Sequence, residues 1–307
     1  MSSVELEMSA LGPLCAFGSS VTWAVGSSAY SRLSQKYSPF AVNFARALIA
    51  LPLFILAAFF VSGGWNEGLA HFQSLRLEHW GWFTLSMTAS YGLGDTLFLW
   101  STRSLGVPGA LAIASCYPLW TVACGYFFTG QTLSWTQGIG IGVTLAGIVT
   151  VILNGPKSEE APKGVSAIGI LLALATSVAW ATNSFATSRG GADLLAPVGN
   201  TIRMIMALIL SASFGKFFSP KTAIFLPEKQ YLSSLWLFVL EAFLGSYFYM
   251  YGLSHTPLTL GTVLVSLAPV ISVPVALLLR LEKFSVFRTL GVLMVVFGVW
   301  LLLTRGF

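Results

Sequence analysis

The chain has 307 residues, 55% of them hydrophobic and only 9% charged, with a mean hydropathy of +0.79. A soluble domain of this length carries about 25% charged residues, so a water-soluble globular protein is excluded and most of the outer surface must face lipid. The formal net charge of +5 comes from loop lysines and arginines, which read as topology determinants and headgroup contacts rather than a nucleic-acid surface.

In chain order, ten apolar stretches are each long enough to cross a hydrocarbon core as a helix: residues 11–31, 40–62, 80–102, 107–128, 134–153, 166–188, 197–218, 232–253, 259–279 and 285–304. Ser38-Pro39, Gly63-Gly64, Gly106-Val107-Pro108, Gly155-Pro156, Gly190-Gly191, Pro220 and Pro257 separate most of them. Only helices and closed barrels satisfy backbone polar groups in lipid, and no ten-residue alternating pattern suggests a barrel. Acidic Glu5 and Glu7 argue against a cleavable signal peptide. A polar linker, residues 154–164, carries Lys157, Glu159, Glu160 and Lys163 and separates residues 1–153 from 165–307.

These two parts repeat one another. Ser20, Trp23, Ala24, Ser27, Ser31 and Arg32 recur as Ser177, Trp180, Ala181, Ser184, Ser188 and Arg189, at an offset of 157 (180 − 23) that still holds for Asn43/Asn200 and Arg46/Arg203. Further on the offset is 151 (269 − 118), matching Leu93-Gly94 to Leu244-Gly245, Pro118 to Pro269, Gly140 to Gly291 and Gly147 to Gly298. Five crossings per copy reverse the orientation of the second. The expected fold is therefore an all-α integral membrane protein, ten transmembrane helices as two inverted five-helix repeats around a central cavity. Eleven loop lysines and arginines fall on one side of this arrangement and three on the other, which places both termini outside the cytoplasm.

The polar residues within the spans are the candidate site. Trp23 and Trp180 share helix faces with serines, a pattern that serves either close helix packing or a cavity wall. Asn43 and Arg46, like Asn200 and Arg203, are i, i+3 pairs well inside their spans, where a cation usually faces protein or water. Asp95 falls at the depth of Arg46 and is expected to pair with it, whereas the second copy has Ser246 in its place. Glu241 lies mid-span with no obvious partner, so it is expected to be protonated, hydrated or bound to something. Tyr91, Tyr247, Tyr249 and Tyr251 are available to a cavity. Pro118 and Pro269 are matched kinks, either hinges or simple curvature. Cys15, Cys116 and Cys124 lie in apolar runs without metal-ligand spacing, and no metal or cofactor is expected.

Trp23-Ala24-Val25-Gly26-Ser27 with Ser38-Pro39 and Ala45-Arg46, then Ala114 to Pro118, Gly130-Gln131 and Gly140 to Gly147, together resemble the EamA-type members of the drug/metabolite transporter superfamily. The second copy carries Ser266 to Pro269, Leu281-Glu282, Gly291 and Gly298. Such families often show Gly-Glu at the hairpin turn, from which each copy departs once. The resemblance implies a central cavity, access that alternates between faces without ATP, a bacterial-type inner membrane, and cytoplasmic termini, opposite to the charge count. The resulting expectation is a secondary transporter exporting an amino acid or related metabolite. Trp23, Asn43, Arg46, Tyr91, Asp95, Trp180, Asn200, Arg203, Glu241, Ser246 and Tyr247 would serve binding or coupling, and Glu241 or Asp95 would handle a proton. Its partners would be the lipid bilayer and a small-molecule substrate, not nucleic acid. The alternative is a non-transporting membrane component, with no substrate-sized cavity and with its intramembrane charges consumed in local pairs. An enzyme is not expected, since His71, His79 and His255 form no catalytic motif.

Overall fold

The computed structural model describes residues 3–130, 134–154, 167–271 and 285–303, which are helical apart from turns. Helix α1 (Ser3–Lys36) leads into α2 (Pro39–Val61), which starts on a proline in its first turn, where a missing N–H leaves no helical bond unmade. Gly63, at φ 86, then turns the chain into α3 (Trp65–Gln73), a short helix that the apolar pattern passes over. Next come α4 (Leu77–Met87), a π-helical segment (Thr88–Gly92), α5 (Gly94–Ala114), α6 (Pro118–Thr129) and α7 (Trp135–Leu153). The later part comprises α8 (Ala167–Gly191), α9 (Ala196–Phe218), α10 (Glu228–Leu237), a second π segment (Phe238–Gly245), α11 (Ser246–Ser254), α12 (Leu258–Val265) and α13 (Val286–Leu303).

Four of these helical stretches are long and apolar enough to cross a membrane among the described residues: Pro39–Val61, Ala167–Gly191, Ala196–Phe218 and Glu228–Ser254. Shorter apolar helices fall at 135–150, 258–271 and 289–298. Large side chains such as Leu56, Phe60, Leu153, Leu171 and Phe217 stand exposed on the outside, an arrangement that water would penalise and lipid accepts.

The break expected at Gly106-Val107-Pro108 is not an interruption of helix, because α5 runs through it. It is nevertheless a reversal. The Phe98 and Tyr117 rings lie 5.2 and 6.1 Å from the Trp180 indole, whereas a straight helix would part residues nineteen apart by about 28 Å. The chain must double back near the midpoint, where Gly106 and Pro108 sit. Most of the expected linker 154–164, the end of the ninth stretch, and the Gln131 and Leu281-Glu282 turn positions lie outside the described residues.

Three helix pairings organise the interior, and each has a repeat-related counterpart. Helix α1 lies antiparallel to the α10–α11 rod: a Cβ at Gly26 would meet Glu241, one at Gly245 would meet Thr22, and one at Gly252 would meet Ala16. Helix α8 lies antiparallel to the α4–α5 rod in the same register, with Gly190 against Trp82, Gly94 against Trp180 and Gly169 against Ser104. Helix α7 packs on α13 through glycines: a Cβ at Gly147 would sit 2.7 Å from the Gly291 carbonyl, and one at Gly298 would sit 2.7 Å from the Gly140 carbonyl. With Gly140 matching Gly291 and Gly147 matching Gly298, this contact maps onto itself when the two copies are exchanged. Small residues of this kind let helix backbones approach closely in lipid.

Candidate functional site

Both mid-span π segments face the interior. A π turn carries one residue more than an α turn and so rotates the remainder of its helix, which is one reason such turns gather at functional sites. Leu93 N donates to Thr88 O at 2.9 Å across the first of them. This turn presents Ser90, Tyr91 and then Asp95, and the second presents Glu241, Gly245, Ser246 and Tyr249, to a cavity of about 90 Å³. At roughly 15 Å³ for each water centre, that is room for about six waters. The opposite wall comes from Trp23 on α1, Arg46 on α2, Trp180 and Asn183 on α8 and Arg203 on α9. Residues of both repeats therefore enclose it.

Arg46 is the hub of this wall. Its Nη1 donates to Asp95 Oδ2 at 2.6 Å and to Asn43 Oδ1 at 3.0 Å, and its Nη2 donates to Glu241 Oε2 and Oε1 at 3.0 and 3.2 Å. The expected Arg46–Asp95 pair is thus present, while the expectation that Glu241 has no partner is corrected. Glu241 comes from the other repeat, and sequence spacing alone does not show that α2 and the second π segment adjoin. The guanidinium lies 4.4 Å from the Tyr30 ring centre and 4.2 Å from that of Tyr91, so aromatic faces replace the solvent that a buried cation loses. Trp180 Nε1 donates to the remaining Asp95 oxygen at 3.0 Å, and Trp23 meets Trp180 edge-on at 5.8 Å.

Arg203 is placed differently. It is also buried, its Nη1 donates to Asn200 Oδ1 at 2.8 Å, and its guanidinium lies 5.3 Å from the Tyr249 ring centre. No carboxylate lies within ion-pair distance of it among the described residues, and its Nε has no partner.

Of the residues singled out in the sequence, Trp23, Arg46, Tyr91, Asp95, Trp180, Arg203, Glu241 and Ser246 line the cavity. Asn43 and Asn200 stand behind the wall. Each accepts from its arginine and donates to a carbonyl in the facing π rod, Asn43 to Tyr91 O at 2.8 Å and Asn200 to Ser246 O at 3.1 Å. Each asparagine thus ties its arginine to the neighbouring rod. Tyr247 is corrected outright: it stacks on Tyr251 away from the cavity, because helix rotation puts Tyr249, two residues on, on the cavity side. Pro118 and Pro269 do mark breaks. Tyr117 N turns back to Ala114 O at 3.2 Å, capping the carbonyl that the Pro118 nitrogen cannot reach with a hydrogen, and Ser266 to Leu267 form the matching turn before Pro269.

Sequence reading missed Tyr30, Tyr117 and Asn183. Tyr30 follows Trp23 by seven residues and so shares its face. Asn183 follows Trp180 by three, and it donates to Tyr249 Oη at 2.8 Å. Helical spacing from the two tryptophans would have found both.

A helical membrane bundle with a polar cavity walled by buried charges is the class that this fold and site define. The match of the EamA-like transporter family to residues 10–153 and again to 167–304 shows that the chain belongs to that family. It is an integral, multi-pass membrane protein of a family of membrane transporters. A solved structure titled only as the crystal structure of a protein is similar to it, with a TM-score of 0.72 at 18% identity over 94% of each chain, a likeness of fold alone. Comparison with curated proteins gives no match.

Proposed function

We propose that the chain is a secondary transporter exporting a small organic solute, an amino acid or related metabolite, across a bacterial-type inner membrane by alternating access. In this reading residues 1–153 and 165–307 are inverted five-helix copies giving ten crossings. The antiparallel, repeat-related pairings of α1 with α10–α11 and of α8 with α4–α5 support the inversion. Pro118 and Pro269, at the matched breaks, are the proposed hinges.

The observation that carries the reading is the cavity itself, where both copies surround a space lined by Arg46, Asp95, Glu241 and Arg203. A non-transporting scaffold would consume its intramembrane charges in local pairs and fill this space, because each unpaired charge and each void costs stability. Protonation of Glu241 would free one side of Arg46 while Asp95 kept the other. That makes Glu241 the proposed proton carrier, in a setting where Arg46, Asp95, Tyr30 and Tyr91 are the charged and titratable groups packed around it. Glu241→Gln is expected to fold and to lose the pH response of solute counterflow in proteoliposomes. Wild-type flux with an unchanged pH response would remove Glu241 from the mechanism.

A further inference from the structure

The two arginines are repeat equivalents, yet their surroundings are not. Around Arg46 stand Asp95 and Glu241. At the offset of 151 (246 − 95), the equivalent of Asp95 is Ser246 and the equivalent of Glu241 is Ser90. Both serines line the cavity, as does Arg203. Where the first arginine is bonded to two carboxylates, the second shares the cavity lining with two short hydroxyl side chains.

We propose that Arg203 is the anchor for a carboxylate group of the solute, and that the solute is a zwitterion whose ammonium group turns toward Asp95 and Glu241. This rests on the transport reading of the same cavity. A guanidinium in a low-dielectric interior needs a counter-charge. Arg203 is only 3% exposed, lines the cavity and has no ion-pair partner among the described residues, so its guanidinium is available to an anion that enters the cavity. Charge counting sets the rest. Asp95, Arg46 and Glu241 together carry one net negative charge, and Arg203 carries one positive, so the cavity has two poles that cancel. A plain monocarboxylate would leave the filled site negative and a simple amine would leave Arg203 unmet. A zwitterion meets both poles and keeps the site neutral. Its third substituent would lie against the indoles of Trp23 and Trp180 and the Tyr117 ring, an aromatic group in the same lining.

The test is counterflow into proteoliposomes of the full chain, loaded in turn with neutral α-amino acids, their decarboxylated amines, their deaminated acids, or uncharged polyols. The amino acids are expected to drive flux at least ten-fold above the other mixtures. Arg203→Gln is expected to raise the half-saturation concentration ten-fold or more and to erase the preference over the amines, and Arg203→Lys to restore part of it. Ser246→Asp gives Arg203 the partner that Arg46 has, and is expected to abolish amino-acid flux in a protein that melts no lower than wild type. Amines moving as well as amino acids, or a preference that survives both Arg203→Gln and Ser246→Asp, would overturn the anchor. Flux driven by polyols alone would overturn the anchor and leave the transport reading standing, while no flux from any mixture would overturn both.

Discussion

Arg46→Leu is expected to cost about 3–5 kcal/mol of stability, the usual penalty for removing one partner of a buried ion pair. The cost arises because Asp95 and Glu241 would be left facing each other with no cation between them. Both carboxylates are more than nine-tenths buried, and Glu241 binds Arg46 through both of its oxygens. Thermal melting in detergent would show the loss as a large drop in transition temperature. Adding Asp95→Asn and Glu241→Gln to Arg46→Leu should recover much of it, since removing all members of a buried charged group is often close to neutral. A singly substituted protein that melts like the wild type would mean that the three groups do not form the unit described.

The second large effect is expected at the contact between α7 and α13. A Cβ on Gly147 would lie 2.7 Å from the Gly291 carbonyl oxygen and 2.9 Å from the Val295 nitrogen. These are backbone atoms, and they cannot move aside unless the helices separate. Gly147→Leu is therefore expected to reach the upper end of the overpacking range, about 3 kcal/mol. Gly298→Leu should behave alike, because it meets the Gly140 carbonyl oxygen and the Thr144 nitrogen in the same way. Gly142, on the same helix, has nothing within 4 Å of its would-be Cβ, so Gly142→Leu is the neutral comparison in the same melting experiment. Equal effects at Gly142 and Gly147 would argue against the close helix contact.

Much of this architecture was legible because lipid leaves the chain few options. Long apolar runs punctuated by proline and glycine must be helices, and an internal repeat as plain as Ser20-to-Arg32 against Ser177-to-Arg189 implies two related bundles. The Arg46–Asp95 pair was legible too, since both residues could be placed at one depth by counting from turns. What sequence spacing could not carry was any relation across the repeats. Glu241 finds Arg46 only because α2 packs against the second π segment, and neither helical periodicity nor hydropathy encodes which rods adjoin. The π turns themselves were hidden. They insert a residue without a proline or a glycine pair to announce them. Tyr247 and Tyr249 follow the second of them on a regular helix, where a step of two residues turns the side chain by about 200°, so only one of the two can face the cavity. Asn43 and Asn200 looked like cavity residues for the same reason that Arg46 and Arg203 did. Their carbonyl partners, Tyr91 O and Ser246 O, belong to the backbone of a neighbouring rod, which no side-chain pattern reveals.

The inverted arrangement is tested most directly by labelling two repeat-equivalent positions from known sides of the membrane. Gln35 and Ala192 stand at the offset of 157 (192 − 35), and both are exposed at helix ends. In a protein with Cys15, Cys116 and Cys124 replaced by serine, Gln35→Cys and Ala192→Cys would each be treated with an impermeant maleimide in right-side-out and inside-out vesicles. The inverted arrangement requires the two cysteines to react from opposite faces, and reaction of both from one face would contradict it.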